Sequence, residues 1–262
     1  MTFDPHPAHF FAPRLAPPML MSLERRLELL TQAGADVVLV EPFTVDLAAL
    51  SALDFIDKVL HNELGASHVV VGWDFSFGAG RQGDPSLLTS EGARLGMEVT
   101  VVPPVKVDGL VCSSTKIREF VLEGRVEGAA LLLGRPYETT GQVVRGLRRG
   151  HTLGIPTANL EAEIDLLPKS GVYAAWARLL ESGQHLRAAV SIGTNPTFTD
   201  CRGVPPPITL EAHMLDFDGD VYGKRMRLEY VGRVRDQRSF PSVEALVAEI
   251  KRDILRVREM LV

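Results

Sequence analysis

The 262 residues suit about two domains, each long enough to bury a core. Lys and Arg number 28 against 33 Asp and Glu, and the resulting charge of −5 argues against a wholesale nucleic-acid binder, while 45% hydrophobic and 23% charged residues exclude a disordered chain. Every long apolar run is broken by a charge, Gly or Pro, so no membrane span is expected; with no visible signal peptide and only Cys112 and Cys201, which give neither a disulfide framework nor a Cys-x-x-Cys pair, a cytoplasmic protein is expected.

The first half alternates strands and helices. Ser22 caps a helix carrying Leu23, Leu27 and Leu30 that ends near Gly34, and Val37 to Val40 read as a buried strand. Ser51 and Asp54 resemble a capping box before a helix with Phe55, Ile56, Val59, Leu60 and Leu64 on one face. Val69 to Val71 form a strand, residues 85–95 a helix and Glu98 to Val102 another strand, a pattern that predicts a parallel sheet covered by helices, with ligands beyond the strands' carboxyl ends.

After Gly134-Arg135-Pro136 the reading changes. Gly141 to Val144, Gly171 to Leu179, Leu186 to Ile192, Ile208 to Leu215 and Met226 to Val231 are β-like and separated by Gly, Pro, Asn and Asp, as in an antiparallel sandwich or barrel. A final helix capped by Ser242 carries Val243, Leu246, Val247, Ile250, Ile254, Val257 and Leu261 on one face, as packing. The domain boundary is expected near residues 125–135, dividing the chain into 1–130 and 131–262.

Several motifs carry possible chemistry. Gly78-Ala79-Gly80-Arg81-Gln82-Gly83 matches G-x-G-x-x-G, but Asp84-Pro85 follows and the next strand ends in Pro103-Pro104 without an acid, so a dinucleotide fingerprint is not expected. His6 and His9 lie in a Pro-rich segment read as a rigid loop, too few for a zinc site. No Walker loop occurs. Ser113, Ser114, Thr115 and Arg118 open a helix and either receive an anion or merely cap it.

The richest stretch is Gly141 to Asn159. Gly146, Gly150 and Gly154 allow close backbone approach, and the neutral oxygens of Thr157 and Asn159 suit an incomplete magnesium shell, although a solvated basic hairpin is the alternative. In the strand around Glu211, Thr209, Glu211, His213 and Leu215 share one face and Leu210, Ala212 and Met214 the other; the polar face is either functional or simply solvated.

Taken together, Thr-Phe-Asp-Pro-His-Pro (2–7), Val-Val-Gly-Trp-Asp-Phe-Ser-Phe-Gly (70–78), Arg81-Gln82-Gly83-Asp84, Ser113 to Arg118, Leu133 to Tyr137, Gly154 to Asn159, Gly193 to Phe198 and Leu210 to Gly223 resemble the bacterial bifunctional riboflavin kinase and FAD synthetase family. The resemblance covers nearly the whole chain. It implies an α/β Rossmann-like nucleotidyltransferase domain over 1–130, N-terminally incomplete, followed over 131–262 by an antiparallel β-barrel riboflavin kinase domain with a C-terminal helix.

By the same resemblance, Glu211 is the catalytic carboxylate of an ATP-dependent kinase that converts riboflavin to FMN. Gly146, Gly150, Gly154, Pro156, Thr157 and Asn159 would bind ATP and Mg2+, with Thr157 and Asn159 as the metal ligands. Arg235 and Phe240 lie in a flavin-side segment where Gln237 replaces the usual Glu, and His151 stands where Arg is common. Asp74, Phe75, Ser114, Thr115 and Arg118 would serve an FMN adenylyltransferase. The family's His-x-Gly-His is not found among residues 1–130, which predicts either a start upstream of Met1, the favoured explanation, or a vestigial first domain and a kinase-only enzyme. Riboflavin, FMN and ATP are the expected partners, with no nucleic acid and no membrane; a non-catalytic flavin-binding module and an RNA-binding barrel using Arg145, Arg148 and Arg149 are the rival readings.

Overall fold

The structure, a computed structural model, describes residues 1–146, 154–193 and 208–262. It comprises two compact units, Met1–Pro17 with Arg26–Val111, and Pro18–Arg25 with Cys112–Val262.

In the first unit, β1 (Thr2–Asp4) pairs in parallel with β2 (Val40–Pro42), and β3 (His68–Gly72) pairs in parallel with β4 (Glu98–Val102). The strand expected at Val37 to Val40 is displaced: its partner supplies only three residues, so pairing begins at Val40 and Val37 is left 85% exposed. Nor are the parallel pairs covered on both faces. Val69, Val71 and Val99 pack inward, whereas Val70 between them faces solvent, as the two-residue period of a strand dictates. A hairpin of β5 (Lys106–Val107) and β6 (Leu110–Val111), absent from the sequence reading, ends the unit.

Helix α1 (Pro7–Phe11) replaces the loop expected around His6 and His9. Proline is tolerated there because at the first helical position its missing N–H has no partner to lose, and His6 Nδ1 accepts from Ala8 N–H at 3.1 Å as the cap. Helix α2 covers Leu23–Gln32, α3 (Val45–Ala49) is capped by Thr44, and Ser51 accepts from Asp54 N–H at 3.0 Å to start α4 (Ala52–Asp54). The chain continues as a π-helical stretch, Phe55–Glu63, burying Phe55, Ile56, Val59 and Leu60; Leu64 falls just past its end and is exposed. These residues, with Phe77, Leu88 of α5 (Pro85–Arg94) and Met97, form the core.

The second unit opens with α6 (Ser114–Glu123) and α7 (Val126–Leu133), followed by β7 (Tyr137–Val144), β8 (Ala158–Ala162), β9 (Gly171–Leu179), β10 (His185–Gly193), β11 (Thr209–Met214) and β12 (Arg225–Asp236). The strands close a barrel in the order β10-β11-β8-β7-β12-β9. Strand β8 and the long end of β12 are additions to the sequence reading; β12 accommodates its length through register shifts between Tyr230 and Gly232 and between Arg233 and Arg235. Helices α6 and α7, placed before the expected boundary, belong to this unit: Lys169 N–H donates to Val121 O at 3.2 Å and Arg233 N–H to Glu127 Oε1 at 3.1 Å.

Three buried tyrosines fill one part of the barrel, with ring centroids of Tyr137 and Tyr230 6.2 Å apart and of Tyr173 and Tyr230 5.7 Å apart. Their hydroxyls donate to Leu166 O, Lys169 O and Thr139 Oγ1 from Tyr137, Tyr173 and Tyr230 respectively. Burial pushes all three phenols up, that of Tyr173 to about 12.

The C-terminal helix, Val243–Met260, is capped by Ser242 and lays Ile254 and Val257, with Leu261 just past its end, on the barrel's outer wall against Ala174 and Leu215. Val243 is exposed, contrary to its place in the apolar stripe, because it lies in the first turn, before the buried part of the face begins. The same helix buries two carboxylates, Glu249 and Asp253, that the stripe did not include.

Candidate active site

In the barrel unit, Leu210, Ala212 and Met214 point into the core, leaving Thr209, Glu211 and His213 half-buried on the outer side of β11. Glu211 pairs with Asn159 of β8 on one side and Ser191 of β10 on the other, and Asn159 in turn pairs with Val144 of β7. Side chains at directly opposed positions share a face, so this register sets Asn159, Glu211 and Ser191 in one row. Thr157, two residues before Asn159, joins them: its hydroxyl donates to Glu211 Oε2 at 3.4 Å. Ser191 was not singled out from sequence; only the register across three strands reveals it.

Two neighbours fix this row. His213 Nδ1–H donates to Pro156 O at 2.7 Å, since a carbonyl can only accept, and this pins the turn just before Thr157. Gly146 lies against the Asn159 amide so closely that a Cβ there would sit 2.7 Å from Oδ1 and nearer still to Nδ2. A bare backbone is what lets the amide occupy that place. Thr157 Oγ1 and Asn159 Oδ1 are the neutral oxygen donors that suit magnesium, which takes the rest of its octahedral shell from water and phosphate. The donor set and the Gly146 clearance fit such an ion. Gly154 adopts a left-handed φ of 72°. Gly150 and His151 lie outside the described residues, as do Arg148, Arg149 and the Thr194–Phe198 motif.

Arg235 is anchored: its Nε and Nη2 donate to Asp253 Oδ2 at 3.0 and 2.8 Å, and Glu249 Oε1 lies 3.8 Å from Nε. Its guanidinium and that of Arg238 lie 5.6 and 5.2 Å from the Phe240 ring. The Gln237 amide packs on Gly193, where a Cβ would be 2.7 Å from its Cδ. Arg235 thus orders the segment that carries Phe240 and Gln237.

In the first unit, Asp74 lies in the exposed turn at the carboxyl end of β3, where Trp73 N–H donates to Val102 O at 3.0 Å and Phe75 N–H to Gly72 O at 3.1 Å. Phe75 stacks on Phe77 at 5.2 Å and lines a cavity of about 390 Å³ with Phe3, Phe11, Phe43 and Phe55. That volume and aromatic lining suit a planar ring system. The lining phenylalanines come from separate segments; the sequence singled out Phe75 as a site residue and Phe55 as a core position, but no spacing placed them together with Phe3, Phe11 and Phe43.

Ser114, Thr115 and Arg118 lie in the second unit. Ser113 caps α6 by accepting from Lys116 N–H at 3.2 Å, leaving Ser114 and Thr115 exposed. Arg118 falls one turn in rather than at the start, its Nε donating to Pro18 O at 2.7 Å, and burial lowers its pKa from the ordinary guanidinium value.

Comparison with known proteins divides the chain between residues 116 and 133. A riboflavin kinase family model matches residues 133–261 and an FAD synthetase model residues 1–116. Bifunctional riboflavin kinase/FMN adenylyltransferases from Pseudomonas fluorescens and Escherichia coli strain K12 are 35% and 36% identical, over 98% and 99% of this chain and 81% of each relative. A crystal structure described as a macrolide-efflux protein from Streptococcus pneumoniae is 32% identical with a TM-score of 0.79, over 91% of this chain and 75% of that one. Among the described residues, no helix is long and apolar enough to cross a membrane.

Proposed function

The chain belongs to the bifunctional riboflavin kinase/FMN adenylyltransferase family and is an enzyme of flavin cofactor biosynthesis; on that footing we propose that the Thr157, Asn159 and Glu211 row performs the kinase step. Its substrates are riboflavin and ATP. The observation that carries the proposal is the cross-strand pairing of Glu211 with Asn159, which sets a carboxylate beside two neutral oxygens on the outer face of the barrel.

Thr157 and Asn159 would hold Mg2+, which supplies charge neutralisation at the ATP phosphates. Glu211 accepts the proton of the riboflavin 5′-hydroxyl as that oxygen bonds to the γ-phosphorus. The bond from the γ-phosphorus to the β–γ bridging oxygen breaks, and ADP departs with the electron pair. Gly146, Gly154 and Pro156 line the phosphate side, and Arg235 holds Phe240 on the flavin side. The non-catalytic reading is not favoured, because both family models match an enzyme.

For the adenylyltransferase step, with residues 1–130 taken as that half and 131–262 as the kinase half, the phenylalanine-lined cavity receives the isoalloxazine ring of FMN against Phe75. Asp74, at the carboxyl end of β3, serves the nucleotide. Glu211→Gln tests the kinase assignment: the acceptor for the proton is lost while the side chain keeps its shape. FMN formation should fall by about a hundredfold or more, with riboflavin and ATP affinity retained. Undiminished turnover would remove Glu211 from the mechanism.

A further inference from the structure

The glycine-rich segment 78–83 is not a dinucleotide turn, and its geometry shows what it holds in place. Ala79 N–H donates to Leu50 O at 2.7 Å, and a Cβ on Gly78 would sit 2.6 Å from Ala52 N, so the loop is pressed onto the start of α4. Phe77 and Gly83 close its base with a pair of backbone hydrogen bonds of 3.1 and 2.9 Å. Between these anchors Arg81 is held at a φ of 57°, a left-handed conformation that a side-chain-bearing residue rarely adopts.

The Arg81 side chain lines the phenylalanine cavity, and its Nε donates to Ser76 Oγ at 2.9 Å. Arg81 is the sole residue with a permanent charge among those lining the cavity. No carboxylate pairs with it among the described residues. A guanidinium oriented through one nitrogen still offers its remaining N–H groups to a phosphate in a forked geometry. An aromatic chamber with one fixed cation is complementary to a ligand that has a flat ring at one end and a phosphate at the other.

We infer that Arg81 binds the phosphate of FMN and makes this cavity select the phosphorylated flavin over riboflavin. The inference rests on reading the cavity as the flavin site of the adenylyltransferase half. It assigns the backbone strain a purpose: the loop is clamped at both ends so that the cation stands at a fixed distance from the rings. The same cavity without Arg81 would accept either flavin, and the product of the kinase step would lose its advantage over the starting vitamin.

Hydrogen exchange of the full chain, followed by mass spectrometry on the peptide 73–84 during titration with FMN or riboflavin, reads this site separately from the barrel. In the unaltered protein FMN should protect the peptide at lower concentration than riboflavin. Arg81→Gln should raise the half-protecting FMN concentration by about tenfold or more and leave the riboflavin titration unmoved, while Arg81→Lys, which keeps the charge, should retain a substantial part of the preference. An unchanged FMN titration in Arg81→Gln, or an equal loss for both flavins, would overturn the inference. Phe75→Ala separates the two levels of the argument. If it weakens protection by both flavins, the cavity reading holds whatever Arg81 does; if it weakens neither, that reading fails and the inference with it.

Discussion

Substituting Gly146 by Ala tests the geometry of the metal-side pair with one added methyl group. The backbone at Gly146 lies outside the left-handed region, so alanine introduces no conformational strain of its own. What it introduces is overlap: the new Cβ would sit 2.7 Å from Asn159 Oδ1 and closer to the rest of the amide, against an ordinary carbon contact of about 3.5 Å or more. The amide must therefore retreat by about an ångström, and Asn159 sits in a strand ladder between Val144 and Glu211, so its backbone cannot follow. A misplacement of that size in a positioning group costs on the order of a hundredfold in rate. Riboflavin kinase turnover, measured against magnesium concentration, should show a fall of about that size and a rise in the magnesium needed for half-saturation. Thermal unfolding should change little, because the amide is only half-buried. Wild-type turnover with an unaltered magnesium profile would refute the assignment of Asn159 as a ligand.

Two further outcomes follow from the barrel. Asp253→Asn leaves the nearly buried Arg235 guanidinium without its closest counter-ion, with only Glu249 at 3.8 Å, and should destabilise the second unit by about 3 kcal/mol. Urea unfolding followed by Trp176 fluorescence in a Trp73→Phe background measures this, and a loss below about 1 kcal/mol would mean that solvent already screens the pair. The buried phenols of Tyr137, Tyr173 and Tyr230 are raised above their unfolded values, so the stability they contribute is full below the unfolded value near pH 10 and is lost as pH rises toward the folded values, about 12 for Tyr173. Phenolate absorbance from these three should therefore appear together with barrel unfolding in an alkaline titration; ionisation of all three in the still-folded chain would contradict their burial.

The parts of the fold that were legible in the sequence are those where local periodicity and burial agree. The alternation of Leu210, Ala212 and Met214 with Thr209, Glu211 and His213 already separated the barrel wall from the polar face, and Ser51, Ser113 and Ser242 marked helix starts that the hydrogen bonds reproduce. Local signals misled where a partner decides the outcome. Val37 to Val40 have the composition of a strand, but of these only Val40 enters the strand pairing, with Leu39 O accepting from Thr2 N–H, while Ala158–Ala162 is too short and too mixed to announce itself yet is held as β8 by β7 on one side and β11 on the other.

Sequence alone determined which chemical groups the chain possesses and the face on which each would project, because side-chain direction follows from a backbone repeat of a few residues. Tertiary structure alone decided which of those groups meet. Asn159 and Glu211 are neighbours through strand register, the cavity takes its phenylalanines from separate segments of the first unit, and Arg81 acquires a setting only because its loop is pressed onto Ala52. Such contacts depend on closing chain loops of many residues, a cost and a reward that no short stretch of sequence contains.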